Sequence, residues 1–503
     1  MRHYTSGAYD PSSAWWERFN DCGSVTFDNK VTINSVRCVR GGQSGSLGYS
    51  ALPPTVYGLQ TYSGYGKDPV NTATGNYVYS KKDVEIPGRG LSFAFERNYN
   101  SQDAVDGPLG FGWNHTYNSM LTVNADLTVT IRWGDGKTQT WTPDGLGGYT
   151  PQYGIFDTLT KNGDGTFTLR KKDQTRYNFN TSGKLSSIID KNSNTIGLLY
   201  AGSNLTQITD TAGRNISLTY NGNNRITTIT DPISRTVQFT YDTNGNLVTA
   251  RDMNGNITTY TYDTNHQILT VVDPRGHTIV TNTYDATKRV VTSQKDAKMG
   301  QTTYTYDKPS RITTIVDQMG FTTIHYHDEL MRLMQETDAL GNSAYYTYDT
   351  AGNRTQVKDK KGNITAYAYD AKGNVLTKTD ALGNVTTITY DSSNNPLTRN
   401  DALGNRTTFE YNANGNLTKT TDPLGNFTTA TYNANGQPLS ITDARSNTTT
   451  NAYDTAGNLI TVTAALGNVT TYIYDGAGRR LTSRDALGRT TTFAYDANNR
   501  ALP

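Results

Sequence analysis

One phrase recurs through the second half of the chain and dictates what it can become. A strand-like stretch ends in Tyr, most often Tyr-Asp, and a short Gly-Asn turn follows; about ten residues on comes Asp-x-x-Gly. The anchoring tyrosines run from Tyr220 and Tyr241 to Tyr474 and Tyr495. Most steps are 21 residues, with small slips between Tyr262 and Tyr348. Self-similarity at such a period marks a repeat architecture in which one supersecondary unit is copied and stacked. A chain built this way makes a shape, and no single copy is expected to be special.

One unit is short enough to read directly. In Thr258-Thr259-Tyr260-Thr261-Tyr262, Tyr and Thr alternate, which gives a strand with one aromatic and one hydroxyl face. Asp242-Thr243-Asn244-Gly245-Asn246 has the chemistry of a type I turn closed by a glycine at positive φ, a hairpin with a bulge. A second strand follows, and turns such as Asp338-Ala339-Leu340-Gly341, Asp380-Ala381-Leu382-Gly383 and Asp485-Ala486-Leu487-Gly488 send the chain back. Each repeat is therefore a hairpin. Roughly 25 consecutive antiparallel strands exceed what an open twisted sheet tolerates before it curls. The expectation is all-β: a long coiled ribbon, with Tyr and Leu on one face and Thr, Asn and Lys on the other.

Composition narrows the function classes. Only 34% of the 503 residues are hydrophobic, while Tyr supplies 34 positions and Gly 47. That suits half-wet strands and tight turns better than a compact aliphatic core. A net charge of +2 without a Lys/Arg stripe argues against a nucleic-acid partner. No apolar run approaches the roughly 20 residues of a membrane helix. The start at Met1-Arg2-His3-Tyr4 lacks the apolar segment of a signal peptide, and Pro503 falls a few residues into a unit; both ends read as cuts in a longer protein.

Three segments precede the regular repeats. Residues 1–41 carry Trp15-Trp16 and end in Ser35-Val36-Arg37-Cys38-Val39-Arg40. They resemble the tail of the lectin-like C-terminal domain of collagen-like bacterial adhesins. Residues 42–67, rich in Gly, Ser, Tyr and Pro, read as a linker. Residues 68–140 hold Asp68-Pro69-Val70-Asn71, Thr74-Gly75-Asn76, Arg97-Asn98-Tyr99 and Gly107-Pro108-Leu109-Gly110-Phe111-Gly112-Trp113. That order resembles the module that opens the shell of rearrangement-hotspot (Rhs) and YD-repeat proteins. Residues 141–218 read as divergent β-repeats, and 219–503 as the repeats proper, which resemble those of Rhs proteins, toxin-complex shells and teneurins. The resemblance implies a ribbon that spirals into a hollow shell around a toxin or the chain's own C-terminal segment. Phe93, Phe95, Phe111 and Trp113 are expected to pack on the early repeats, and the strand edge around Tyr474 to Asp496 to stay unpaired.

Chemistry was sought residue by residue. Cys22 and Cys38 are the only cysteines; a disulfide in an oxidising compartment and two reduced thiols both stay open. His325 and His327 would share a strand face as metal ligands do, but no third ligand is nearby, and packing is the plainer role. Asp273-Pro274-Arg275-Gly276 and Asp422-Pro423-Leu424-Gly425 have the local spelling of the Rhs self-cleavage aspartates, yet both stand in phase with ordinary turns. No nucleophile elbow, nucleotide loop or zinc signature occurs. The expectation is a structural shell segment of a secreted or surface bacterial protein. It has no enzyme activity, cofactor or membrane span, and its partner is a C-terminal toxin or cargo segment. The alternative is a carbohydrate-binding adhesion module that offers tyrosines to cell-surface glycans.

Overall fold

The computed structural model describes residues 57–59, 62–66 and 68–502, and among them there are strands and turns but no helix. Three antiparallel strands, Val78–Ile86, Phe93–Asn100 and Trp113–His115, form the first sheet. A second sheet of four strands runs from Met120–Val123 to Tyr149–Pro151. Then one sheet takes over. It has 33 strands, from Thr158–Lys161 to Thr490–Thr492, each hydrogen-bonded to its sequence neighbours. It starts well before the period becomes regular at Tyr220.

The turns explain the motif better than the sequence alone could. In Asp380-Ala381-Leu382-Gly383-Asn384 the Asp380 N–H donates to the Asn384 carbonyl and the Gly383 N–H to the Asp380 carbonyl. The Asp380 carboxylate accepts the N–H groups of Leu382 and Asn384 and the Asn384 side-chain amide, each at 2.9 Å. Gly383 sits at φ 84°, the left-handed region that favours glycine. Five hydrogen bonds thus close a five-residue loop. The Asn after the Gly has a use the sequence left unexplained: it ties the second carboxylate oxygen.

Each hairpin also carries an irregularity that no motif announced. The pairing register slips by one residue beside the tyrosine, as between Thr240 and Tyr241 and between Thr389 and Tyr390. A bulge bends its strand and increases the local twist. Set at the same edge in nearly every unit, these bulges turn the ribbon in one sense, and the sheet coils.

The core lies where the first circuit of the coil wraps the N-terminal module. Phe93, Phe95, Tyr99, Trp113, Ile208, Ile229, Tyr260 and Val271 belong to one buried cluster that ends at Ile315. Trp113 donates its indole N–H to the Tyr262 hydroxyl at 2.9 Å, and Phe111 stacks on His266 at 3.8 Å. Phe93 and Phe95 instead stack on Tyr117 and His115 of the same module. So two of the four expected aromatics reach the repeats directly, and the other two hold the module together. The stretch expected as a linker is described only at 57–59 and 62–66, and there it is seated. Gly58 donates to Asn100, and Leu333 donates to the Tyr62 carbonyl.

Candidate functional surface: a tyrosine-laced wall and its seam

A ladder of tyrosine hydroxyls runs along the inner face. Tyr241 donates to the carbonyl of Ile226, Tyr262 to Leu247, Tyr369 to Arg354, Tyr432 to Leu417 and Tyr474 to Leu459, always 15 residues back and at 2.6–2.9 Å. Ile226 is the residue paired with Tyr220 at the preceding bulge. Each tyrosine therefore reaches across to the bulge of the unit before it. A buried backbone carbonyl needs a donor, and the phenol supplies one at the end of a ring that also fills the face. Burial holds these phenols well above their usual range, as at Tyr241 and Tyr348, so they stay donors. Two anchors depart from the ladder: the buried Tyr411 hydroxyl has no partner, and in the slipped repeat His327 replaces Tyr326 at the bulge and contacts the Arg311 carbonyl at 3.3 Å. Tyr348 is buried and Thr347 half-buried, Tyr390 half-buried and Thr389 exposed, which is the inside-outside order expected from the strand alternation. Outward threonines pair across strands instead, Thr389 with Thr398 at 2.7 Å and Thr261 with Thr270 at 2.6 Å.

The coil closes on itself through its turns. The amide of Asn192 donates to Asn416 at 3.1 Å, and Asn416 returns the bond at 2.7 Å. Asn194 reaches the carbonyl of Asn435, Arg235 that of Ala497, and Asn254 the carboxylate of Asp496. These partners lie 224 to 262 residues apart, so one circuit takes about eleven or twelve units. At ~4.8 Å per strand that is roughly 110 Å around. Tyr-Asp turns of the second circuit sit on Asp-x-x-Gly return turns of the first. The last loop, Asp496–Arg500, docks this way, although the strand Thr490–Thr492 pairs on one side only.

Two Asp-x-x-Gly-Arg turns show what cover does, the first lying against both Pro87 and Arg89 of the N-terminal module and Gly478 of the second circuit. In the first circuit Arg214 and Asp210 form an ion pair with side chains 12% and 0% exposed; in the second, Arg489 and Asp485 form it at 75% and 36%. Beyond the core the inner face is lined rather than filled. Its central row takes in Tyr367, Lys378, Ile388, Arg399 and Phe409, and only Tyr367 and Phe409 among these are buried.

The module is keyed to the wall by polar groups that the sequence reading passed over. Arg97 is fully buried, donates to Asp83 at 3.0 Å, and lies 5.1 Å from the rings of both Trp113 and Phe239. Thr72 contacts His325 Nδ1 at 2.9 Å and His327 Nε2 at 3.1 Å, while Thr313 donates to the Thr72 carbonyl. Burial lowers both histidines to about 4. The pair thus holds a strap of the module. The doubled histidine was the available signal; its partner 250 residues away was not.

The expected acidic candidates are ordinary turns. Asp273 and Asp422 accept the N–H groups of the residues two and four ahead, at 2.8–2.9 Å. Backbone donation from His277 and side-chain donation from Asn426, respectively, lead in lowering their affinity for protons. Among the described residues no three His, Cys, Asp or Glu side chains gather as a metal set. Cys22 and Cys38 lie outside the described residues.

A coiled antiparallel ribbon of Tyr-Asp hairpins, closed by turn-to-turn contacts around an inner face, is a YD-repeat shell wall. The teneurin YD-shell family model matches residues 161–282 and 327–502, more than half of the chain, and a domain of unknown function matches 67–141. The chain belongs to the teneurin YD-shell family. It is 33% identical over 136 residues to the tRNA nuclease WapA of Bacillus subtilis, covering 27% of this chain and 6% of that protein. It is 34% identical over 144 residues to the probable deoxyribonuclease RhsB of Dickeya dadantii, covering 27% and 10%. The crystal structure of TcdB2-TccC3-TEV matches over 85% of this chain and 27% of that one, with 13% identity and a TM-score of 0.43.

Proposed function

We propose that this chain is the wall of a container: the shell segment of a secreted or surface bacterial YD-repeat protein that encloses a toxin or other cargo polypeptide and helps deliver it. In this reading residues 68–140 open the shell, 219–503 build its wall, and the cargo is a segment of the same polypeptide. The observation that carries it is the closed seam around an inner face that is not packed as a core. A ribbon that only needed stability would have filled that space. A lining of Tyr, Lys, Ile, Arg and Phe offers an extended chain both apolar contact and hydration. The wall itself does no chemistry; the nuclease names of the relatives belong to proteins of which this match spans a tenth or less.

The adhesion alternative has less support, because most of the repeat tyrosines point inward and spend their hydroxyls on carbonyls. Limited proteolysis of the full natural gene product tests the container. Cargo inside the wall survives at protease levels that digest the same segment made alone. Equal digestion rates refute enclosure.

A further inference from the structure

The inner face changes its chemistry between the two circuits. The second strand of each hairpin sets one residue at the centre of that face, and its copies recur 21 residues apart. Under the N-terminal module this position holds Ile208, Ile229, Ala250 and Val271, all buried. In the second circuit it holds Val357, Lys378, Arg399, Thr420 and Ile441. Two cations thus stand in consecutive units at a position that elsewhere builds the core. Lys378 is half-buried and Arg399 exposed, as a charge requires unless it is paired.

The rest of the arc has the same sign. In the strands from Ser343–Tyr348 to Thr490–Thr492, the charged side chains of the inner face are Arg354, Lys378, Arg399 and Arg480, with no Asp or Glu among them. Arg354 lies 5.5 Å from the Tyr346 ring and Arg480 5.4 Å from the Tyr472 ring, both on the same row. The one carboxylate within these strands, Glu410, is on the outer face and pairs with Lys419 at 2.9 Å. Every aspartate of the arc lies in a turn. Asp380 and Asp401 are held below the usual carboxylate range first by the Asn384 and Asn405 amides, and last by Lys378 and Arg399. Among the described residues no ion pair engages either cation.

We propose that this part of the wall holds an acidic, extended stretch of polypeptide, its carboxylates on Lys378 and Arg399. The inference rests on the container reading and names the chemistry of what is contained. Complementary charge selects a partner and fixes its register. The cations stand two strands apart, roughly 10 Å. On a polyproline II chain crossing the strands, residues three apart share a face at ~9 Å, so Asp or Glu at every third position meets both. Ile388, between the cations, offers apolar contact to the residues in between. A nucleic acid is anionic too, but holding single strands takes open aromatic faces. Here Tyr367 and Phe409 are buried, and guanidinium groups lie over Tyr346 and Tyr472.

Fluorescence anisotropy on the whole chain at low salt tests this with two labelled peptides, one of repeated Glu-Pro-Ala and one of repeated Lys-Pro-Ala. The expected result is binding of the Glu peptide that added salt weakens, with the Lys peptide at least about tenfold weaker. Lys378→Gln/Arg399→Gln should weaken the Glu peptide about fivefold, whereas Lys358→Gln/Arg406→Gln on the outer face should leave it unchanged. An unchanged circular dichroism spectrum shows that both variants fold, and comparing the two peptides on the wild type needs no variant. Absence of Glu-peptide binding, equal binding of the Lys peptide, or an equal loss from the outer pair overturns the proposal. So does tighter binding of an oligodeoxythymidine, which assigns the wall to nucleic acid. Cargo that still resists protease alongside any of these results leaves the container standing and refutes only its acidic occupant.

Discussion

Removing one hydroxyl from the tyrosine ladder isolates its contribution. Tyr348→Phe keeps the ring, its burial and its position 5.2 Å from the Arg332 guanidinium, but takes away the only group that donates to the Leu333 carbonyl from the next unit. The carbonyl is buried, so water cannot replace the donor. Leaving a buried acceptor unmade costs about 1–3 kcal/mol. Tyr495 makes the same bond, to Arg480 at 2.8 Å, but in an exposed setting. There water substitutes, and Tyr495→Phe should cost about 0.5 kcal/mol or less. The global melting point is a poor readout for either. At ~2.1 cal/mol/K per residue, a cooperative unit of about 440 residues has an unfolding entropy near 0.9 kcal/mol/K, so 2 kcal/mol moves Tm by only about 2 °C. Repeat arrays also open locally. Amide hydrogen exchange in Leu333–Thr337 and Ser343–Tyr348 reads the loss where it occurs. About 1–3 kcal/mol becomes a roughly five- to 160-fold faster exchange. Equal exchange in Tyr348→Phe and wild type, or an equal effect from Tyr495→Phe, would refute the ladder as a stabilising device.

Other expectations follow from single sites. Gly383→Val meets nothing within 4 Å and costs only its strained φ, about 1–2 kcal/mol. Gly373→Val, with a Phe156 ring atom 2.8 Å from the added Cβ, should cost clearly more by denaturant titration. Asp83→Asn strands the buried Arg97 guanidinium and should cost about 3–5 kcal/mol, loosening the module enough to change tryptophan fluorescence. His325 and His327 bind protons at about 4 when folded but near 6.5 when unfolded. Stability is therefore full above pH 6.5 and falls between 6.5 and 4, by about 3 kcal/mol per histidine if they acted independently. A double His325→Gln/His327→Gln variant should flatten that part of the pH profile of chemical denaturation. Arg235→Ala removes the contacts with Ala497 and Asn499 together with the ion pair to the buried Asp231, and should speed protease cleavage near Arg500 while also loosening its own turn in the first circuit.

The sequence by itself determined the unit. The 21-residue period, the Tyr/Thr alternation and the Asp-x-x-Gly turns are local, and local chemistry suffices to write a hairpin, name its inner face and predict its coiling. It also showed Asp273 and Asp422 in phase with the other turns, and they form the same turn hydrogen bonds. Closure was beyond it. Which turn meets which depends on the small bend added at each bulge and summed over some two dozen strands, and a few degrees per strand decide whether residue 192 faces residue 416 or open water. For the same reason the partners of Thr72 and Arg97 could not be read. Contacts between residues about 140 to 255 positions apart follow from the accumulated curvature of everything between them, and only the tertiary structure carries that sum.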